Sequence, residues 1–252
     1  MMETLNITRS QGIEFVEMDR PDALNAFSSL LMDELTEAFM SANSDDSVKV
    51  LVLTGAGRAF SAGADLQEMG QMERTPRYSL QDLLFAIIDF EKPFLVAING
   101  VGAGIGTTIC GLADFVFMSE KARLRCPFSA LGLTAEAAST YTFPALMGRQ
   151  AASWFLLSSE WMSAEACVKS GLALECLAHE ELIPRVMNRA EVLAALPSES
   201  LKKTKSLMVS HHKDAMKAAI KAENLGLAEL AGGPANREAL SAFREKREPL
   251  FK

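Results

Sequence analysis

Two short stretches could present bare main chain to a reacting atom: FSAGADL (Phe60–Leu66) and GAGIGTT (Gly102–Thr108). The second lies within NGVGAGIGTTICGLAD (Asn99–Asp114), where four glycines fall within seven residues. A dinucleotide fingerprint would need G-x-G-x-x-G opening a helix. It fails in both registers, because position 105 is Ile and position 107 is Thr. No G-K-[ST] occurs, so the loop is not a P-loop. Two uses stay open. Gly102, Gly104 and Gly106 could let a helix backbone pack closely. Alternatively, the turns could aim backbone N–H groups at a developing negative charge, at helix starts where the dipole also favours an anion. One turn gives one donor and two turns give a convergent pair. Each pre-aimed donor is worth roughly 3–4 kcal/mol of transition-state stabilisation.

The acid that accompanies these turns is Glu136, in GLTAEAASTYTFP. It too has two readings. Thr134 has the residue type of a helix N-cap, and an acid in the following first turn complements the helix dipole. Equally, Glu136 could carry a proton, with Phe128, Leu131, Leu133 and Phe143 as apolar neighbours that raise its pKa. Asp65 is of capping type for a helix after the first turn. Asn99, after a strand, is suited to order its loop through side-chain hydrogen bonds.

The elements that must hold these residues follow from hydrophobic pattern. Strands are expected at 13–18, 48–55, 93–98, 114–119 and 172–177. A helix capped by Ser28 or Ser29 carries Leu31, Leu35, Ala38, Phe39 and Ala42 on one face, and 80–90 is helical in period. Two strand–glycine-loop–helix units in succession imply α/β architecture with parallel strands. From about Thr134 helices dominate: 136–147, 149–158, 163–170, 180–196, 201–209, 214–231 and 236–248. This organisation gives a core at 1–195 and a helical region at 196–252.

Composition limits the function. The 252 residues carry a net charge of −7, which argues against a general nucleic-acid or membrane-surface binder. The cysteines, Cys110, Cys126, Cys167 and Cys176, form no C-x-x-C pair and have no histidine at metal-ligand spacing. They read as reduced thiols of a cytosol-like compartment, with no metal site. Positions 1–30 contain five acids and no apolar stretch of the kind a signal peptide needs, so a cytoplasmic location is expected. The Lys-rich SHHKD neighbourhood (Ser210–Asp214) reads as a solvated face, and Trp154, Trp161 and Met162 as helix or subunit packing.

LVLTGAGRAFSAGADL (51–66) and KPFLVAINGVGAGIGTTICGLADFVFMSEKARLRCPFSALGL (92–133) closely resemble the two signature regions of the crotonase (enoyl-CoA hydratase/isomerase) superfamily. The likeness runs on through SAEACVKSGLALE (163–175) to the last helix. It implies a spiral of ββα units followed by a C-terminal helical trimerisation region, assembled as a homotrimer or a dimer of trimers. The implied ligand is an acyl-CoA thioester, with no other cofactor. The motif places the oxyanion donors at Ala62 and Ile105, with Gly104 beside the second. Ala64, Asp65 and Leu66 fall where the family meets the adenine and pantetheine portions. Phe243 and Lys246 fall where a neighbouring subunit meets the nucleotide. A hydratase of this family carries two acids; the matching positions here are Thr108 and Phe128, the latter an acyl-pocket position. Around Glu136 the string is similar to the Δ3-Δ2-enoyl-CoA isomerase branch, where this Glu is the base. The resemblance therefore implies isomerisation. Hydratase-like or hydrolytic chemistry, or acyl-CoA binding without turnover, are the alternatives.

Overall fold

The computed structural model describes residues 2–65, 68 and 75–251. Strands β1 (Leu5–Ser10) and β2 (Ile13–Met18) form a hairpin through Gln11 and Gly12, both at positive φ. Ser28 caps helix α1 (Ser29–Ser44) by accepting the Leu31 N–H at 3.1 Å, and the expected apolar face is buried.

The chain then repeats one unit. Strands β3 (Val50–Gly55) and β4 (Ala59–Ser61) precede helix α2 (Leu80–Asp89). Strands β5 (Phe94–Ile98) and β6 (Val101–Ala103) precede the short helix α3 (Ile105–Thr108). Strands β7 (Phe115–Ser119) and β8 (Arg123–Arg125) precede α4 (Ser139–Met147). In each unit the first strand joins one sheet and the second joins another. The large sheet runs β1-β2-β3-β5-β7-β10 and is parallel from β2 onward. The small sheet runs β4-β6-β8-β9, with β4, β6 and β8 parallel and β9 antiparallel. This is the α/β spiral of ββα turns that the resemblance implies. The remaining elements are α5 (Arg149–Ser158), β9 (Trp161–Ser163), α6 (Ala164–Ser170), β10 (Glu175–Leu177), α7 (Leu182–Ala194), α8 (Ser198–Leu230) and α9 (Pro234–Glu245).

The middle of the large sheet is buried on both faces, which is why β5 is apolar throughout and β3 is apolar up to Thr54, whose hydroxyl donates to the Ala97 carbonyl. Alternate residues point to opposite sides. Leu51, Leu53, Phe94, Val96 and Ile98 join the main core with α1 and α2. Val50, Val52, Leu95 and Ala97 pack against Leu182, Val186, Ala190 and Ala194 of α7. The helical region at 196–252 is not a separate body: Ile220 of α8 is fully buried in the main core. Lys205 of α8 donates to Asp114 at 2.6 Å and to the Lys92 carbonyl at 2.8 Å.

Three expectations change. The helices expected at 201–209 and 214–231 are one continuous helix, α8, ending at Leu230, since SHHKD holds neither Gly nor Pro to break it. The three-residue strands of the small sheet were not foreseen, because they are too short to display a period. Finally, α4 begins at Ser139 rather than near Thr134. Glu136 therefore stands in the connection before the helix, outside its first turn, and is not a helix-start acid.

Candidate active site

The site forms where β4 and β6 end. These strands are parallel neighbours, with Ser61 opposite Gly102, so the loops that leave them emerge side by side. Gly63 and Gly104 bring the loops into contact. A methyl on Gly63, at φ +95°, would lie 2.8 Å from the Ala103 carbonyl oxygen. One on Gly104, at φ 53° and ψ −125°, would lie 3.7 Å from the Gly63 Cα. Only glycine adopts that backbone freely. The close-packing use of the glycines is realised. A methyl on Gly106 would sit 2.5 Å from the Ser61 carbonyl, so that glycine lets α3 touch β4. Gly63 and Gly104 keep the space between the loops clear of side chains.

The amides in these loops are almost all engaged. Ala62 N–H donates to the Leu24 carbonyl at 2.9 Å. Gly63 N–H reaches Ser61 Oγ at 3.2 Å, and Asp65 N–H the Phe27 carbonyl at 3.2 Å. Ala64 N–H finds no acceptor among the described residues. This corrects the expected donor of the first loop: Ala62 is already committed to Leu24, and the free amide is that of Ala64. In the second loop Gly104 N–H donates to the Arg125 carbonyl at 3.1 Å. Ile105 opens α3, so its N–H has no acceptor within the helix, and it takes none elsewhere among the described residues. Each loop thus keeps an amide without an acceptor among the described residues: Ala64 in the first, and Ile105, followed by Gly106 inside α3, in the second.

Glu136 faces the same place. A methyl on Gly104 would lie 3.7 Å from Glu136 Oε1. The carboxylate accepts no hydrogen bond among the described residues. Although the residue keeps some accessible surface, burial of the carboxyl, and secondarily the charge of Glu223, push its pKa up from 4.5 to about 7.

The loop carrying Glu136 is shaped from far away. Ala137 and Ala138 both have left-handed backbone, φ 60° and 57°. Such backbone costs an alanine roughly 1–2 kcal/mol per residue. Helix α4 has no side-chain cap of its own. Instead Glu223, on α8, accepts the Ala138 N–H at 2.7 Å, the Thr140 N–H at 3.0 Å and the Thr140 hydroxyl at 2.6 Å. The sequence reading passed over Glu223. Its signal was present: it lies one turn from Ala219 and Ile220 on the buried stripe of α8, where an acid needs a partner.

A family model described as enoyl-CoA hydratase/isomerase matches residues 8–252. The chain belongs to this family. Enoyl-CoA delta isomerase 2 of Rattus norvegicus is 33% identical over 219 residues, covering 84% of this chain and 56% of the relative. The chain spans little more than half the length of this isomerase and of its Homo sapiens counterpart. The 2,3-dehydroadipyl-CoA hydratase of Escherichia coli K12 is 30% identical over 253 residues, covering 100% of this chain and 99% of the relative. Among solved structures, an enoyl-CoA hydratase/isomerase from Pseudoalteromonas atlantica T6c superposes with a TM-score of 0.94 at 31% identity, covering 99% of this chain and 100% of that one.

The other expected site residues of this enoyl-CoA hydratase/isomerase family member divide clearly. Thr108 and Phe128, where the resemblance puts a hydratase's acids, are buried. The Thr108 hydroxyl donates to the Gly104 carbonyl at 3.3 Å, and Phe128 is 6% exposed in the main core. Asp65 receives Arg20 at 3.0 Å and the Glu68 N–H at 3.4 Å, so it ties the first loop together. Asn99 joins the loops after β3 and β5, accepting the Gly55 N–H and donating to the Gly57 and Ala59 carbonyls. Leu66 lies outside the described residues. Phe243, 65% exposed, and Lys246, which caps the C-terminus of α9, lie on the surface of the single chain.

Proposed function

We propose that the protein is a Δ3-Δ2-enoyl-CoA isomerase in which Glu136 moves a proton from C2 to C4 of an acyl-CoA thioester. The observation that carries this reading is the meeting of three groups. The loops of Ala64 and Ile105 touch, both of these amides lack an acceptor among the described residues, and the Glu136 carboxylate stands against the Gly104 that joins the loops. The buried Thr108 and Phe128 leave that site without the second acid a hydratase uses.

In this scheme the thioester carbonyl oxygen accepts hydrogen bonds from the Ala64 and Ile105 amides. The Glu136 carboxylate takes a proton from C2 of a 3-enoyl chain. The electron pair of the broken C–H bond moves into the C1–C2 bond, and charge collects on the thioester oxygen, where the amides stabilise the dienolate. Glu136, now a neutral acid, returns its proton to C4, and the double bond comes to rest between C2 and C3. The carboxylate is regenerated and no water is consumed. A pKa near 7 suits both halves, because the group must lose and regain its proton at neutral pH. Beyond the CoA of the substrate the scheme calls for no cofactor. As proposals from the same resemblance, Phe243 and Lys246 meet the nucleotide of a neighbouring subunit's ligand, and the chain assembles as a homotrimer or dimer of trimers.

The test is turnover of a 3-enoyl-CoA with product analysis by mass. Wild type should give a product of unchanged mass, and Glu136→Gln should lower kcat by about 10²- to 10⁴-fold. Wild-type turnover in the variant would remove Glu136 from the chemistry. A product heavier by one water would favour the hydratase reading that similarity to the Escherichia coli relative supports. Binding with no turnover would leave an acyl-CoA-binding protein.

A further inference from the structure

We propose that Glu223, a residue of the C-terminal helical region, positions Glu136 by holding the backbone on the C-terminal side of it; this rests on the role of Glu136 proposed above. The clamp is built at the two residues that most need one. Ala137 and Ala138 follow Glu136 directly, both in left-handed conformation, and neither is a residue type that prefers it. Local contacts supply only a turn: the Ser139 N–H and hydroxyl bond back to the Glu136 carbonyl at 3.1 and 2.6 Å. The rest comes from α8. Three donors from Ala138 and Thr140 converge on one carboxylate that is 5% exposed. Charge-assisted bonds of this kind are the strong ones, and buried anions persist where such bonds satisfy them. Helix α8 also approaches closely one turn further on: a methyl on Gly226 would stand 3.0 Å from Thr134 Cγ2. The loop from Thr134 to Thr140, with Glu136 at its centre, is therefore moulded against α8.

The same anion acts on Glu136 through space. Among the described residues, two titratable groups are electrostatically coupled to Glu136: Glu223 from α8, and the Cys126 thiol that follows β8, itself buried and held neutral. Only Glu223 brings a charge, and it opposes ionisation of Glu136. Fixing the loop and favouring the protonated base are then two effects of one residue.

Glu223→Gln in the full chain separates positioning from mere structural support. Glutamine keeps one acceptor and loses the charge. The expected result is a kcat for 3-enoyl-CoA lowered by about 10- to 100-fold with KM changed by no more than about twofold. The acid limb of the pH profile should also move to lower pH, since one opposing charge is gone. A variant that is only less stable, with kcat and limb unchanged, overturns the proposal. A titration of the Glu136 carboxyl by carbon-13 NMR reads the same coupling without turnover. If wild type isomerises nothing, a lower Glu136 pKa in Glu223→Gln still supports the coupling of the two carboxyls, and an unmoved one overturns it. Should Glu223→Gln not fold, Thr140→Val removes one of the three bonds and leaves the charge. It should lower kcat by about threefold or more with the limb in place, and an unchanged kcat would overturn the proposal.

Discussion

Glu136 is a carboxyl kept where its ionisation works against folding, and that has a measurable sign. Its pKa rises from 4.5 to about 7 on burial. Below pH 4.5 the group is neutral folded or unfolded and nothing is lost. Between 4.5 and 7 the unfolded chain ionises first, and stability falls as pH rises; above 7 the full loss, roughly 3 kcal/mol, is present. Glu136→Gln should therefore be more stable than wild type at pH 8, with the difference vanishing below pH 4.5. Denaturant titration at the two pH values checks this, and an equal stability at pH 8 would deny the burial of the charge. Residue type and motif pointed to Glu136 and Ile105, and the structure brings the two to the same loop mouth. Ala64 was not read as the free donor, because what disqualifies Ala62 is the Leu24 carbonyl, a partner remote in sequence. A positive φ at Gly63 further removes the simple alternation by which amide directions are counted along a strand.

At the scale of elements, the site depends on how closely α3 meets β4. Gly106 permits that approach, and its missing side chain would otherwise overlap the Ser61 main chain at 2.5 Å. Gly106→Ala must push the two apart, although φ at this residue suits alanine. It should destabilise the fold by about 1–3 kcal/mol as an overpacking change and lower kcat further than that loss alone explains, because the Ala64 and Ile105 amides would no longer aim at one point. Thermal unfolding and kinetics on the folded fraction together test it; normal kcat would mean that the loops converge without this contact. Five of the six large-sheet strands and most helices could be read from the sequence, from their apolar runs; β1 was not expected, because as an edge strand it is exposed over most of its length and shows no buried alternation. The small sheet could not: β4, β6, β8 and β9 have three residues each, and pairing alone defines them. The start of α4 was misplaced because Ala137 and Ala138 take left-handed backbone, which alanine seldom adopts, and one of the groups that holds it, Glu223, is remote in sequence.

The whole molecule joins its C-terminal helices to the site. Ile220 fills the main core, Lys205 pairs with Asp114, Glu223 holds the Glu136 loop, and Asn236 donates to the Leu131 carbonyl at 2.8 Å. A chain ending at residue 195 loses all four contacts and exposes the main core. It should fail to unfold cooperatively on heating, whereas a sharp transition near that of the full chain would show that 1–195 folds alone. The central claim is that Ala64 and Ile105 hold an enolate oxygen while Glu136 handles its proton. A crystal structure with a 3-oxoacyl-CoA, whose enolised thioester mimics the intermediate, tests it most directly. The account predicts the thioester oxygen within about 3 Å of both the Ala64 and Ile105 nitrogens, with the Glu136 carboxylate against C2. A thioester oxygen bound elsewhere, or Glu136 turned away from the acyl chain, would contradict it.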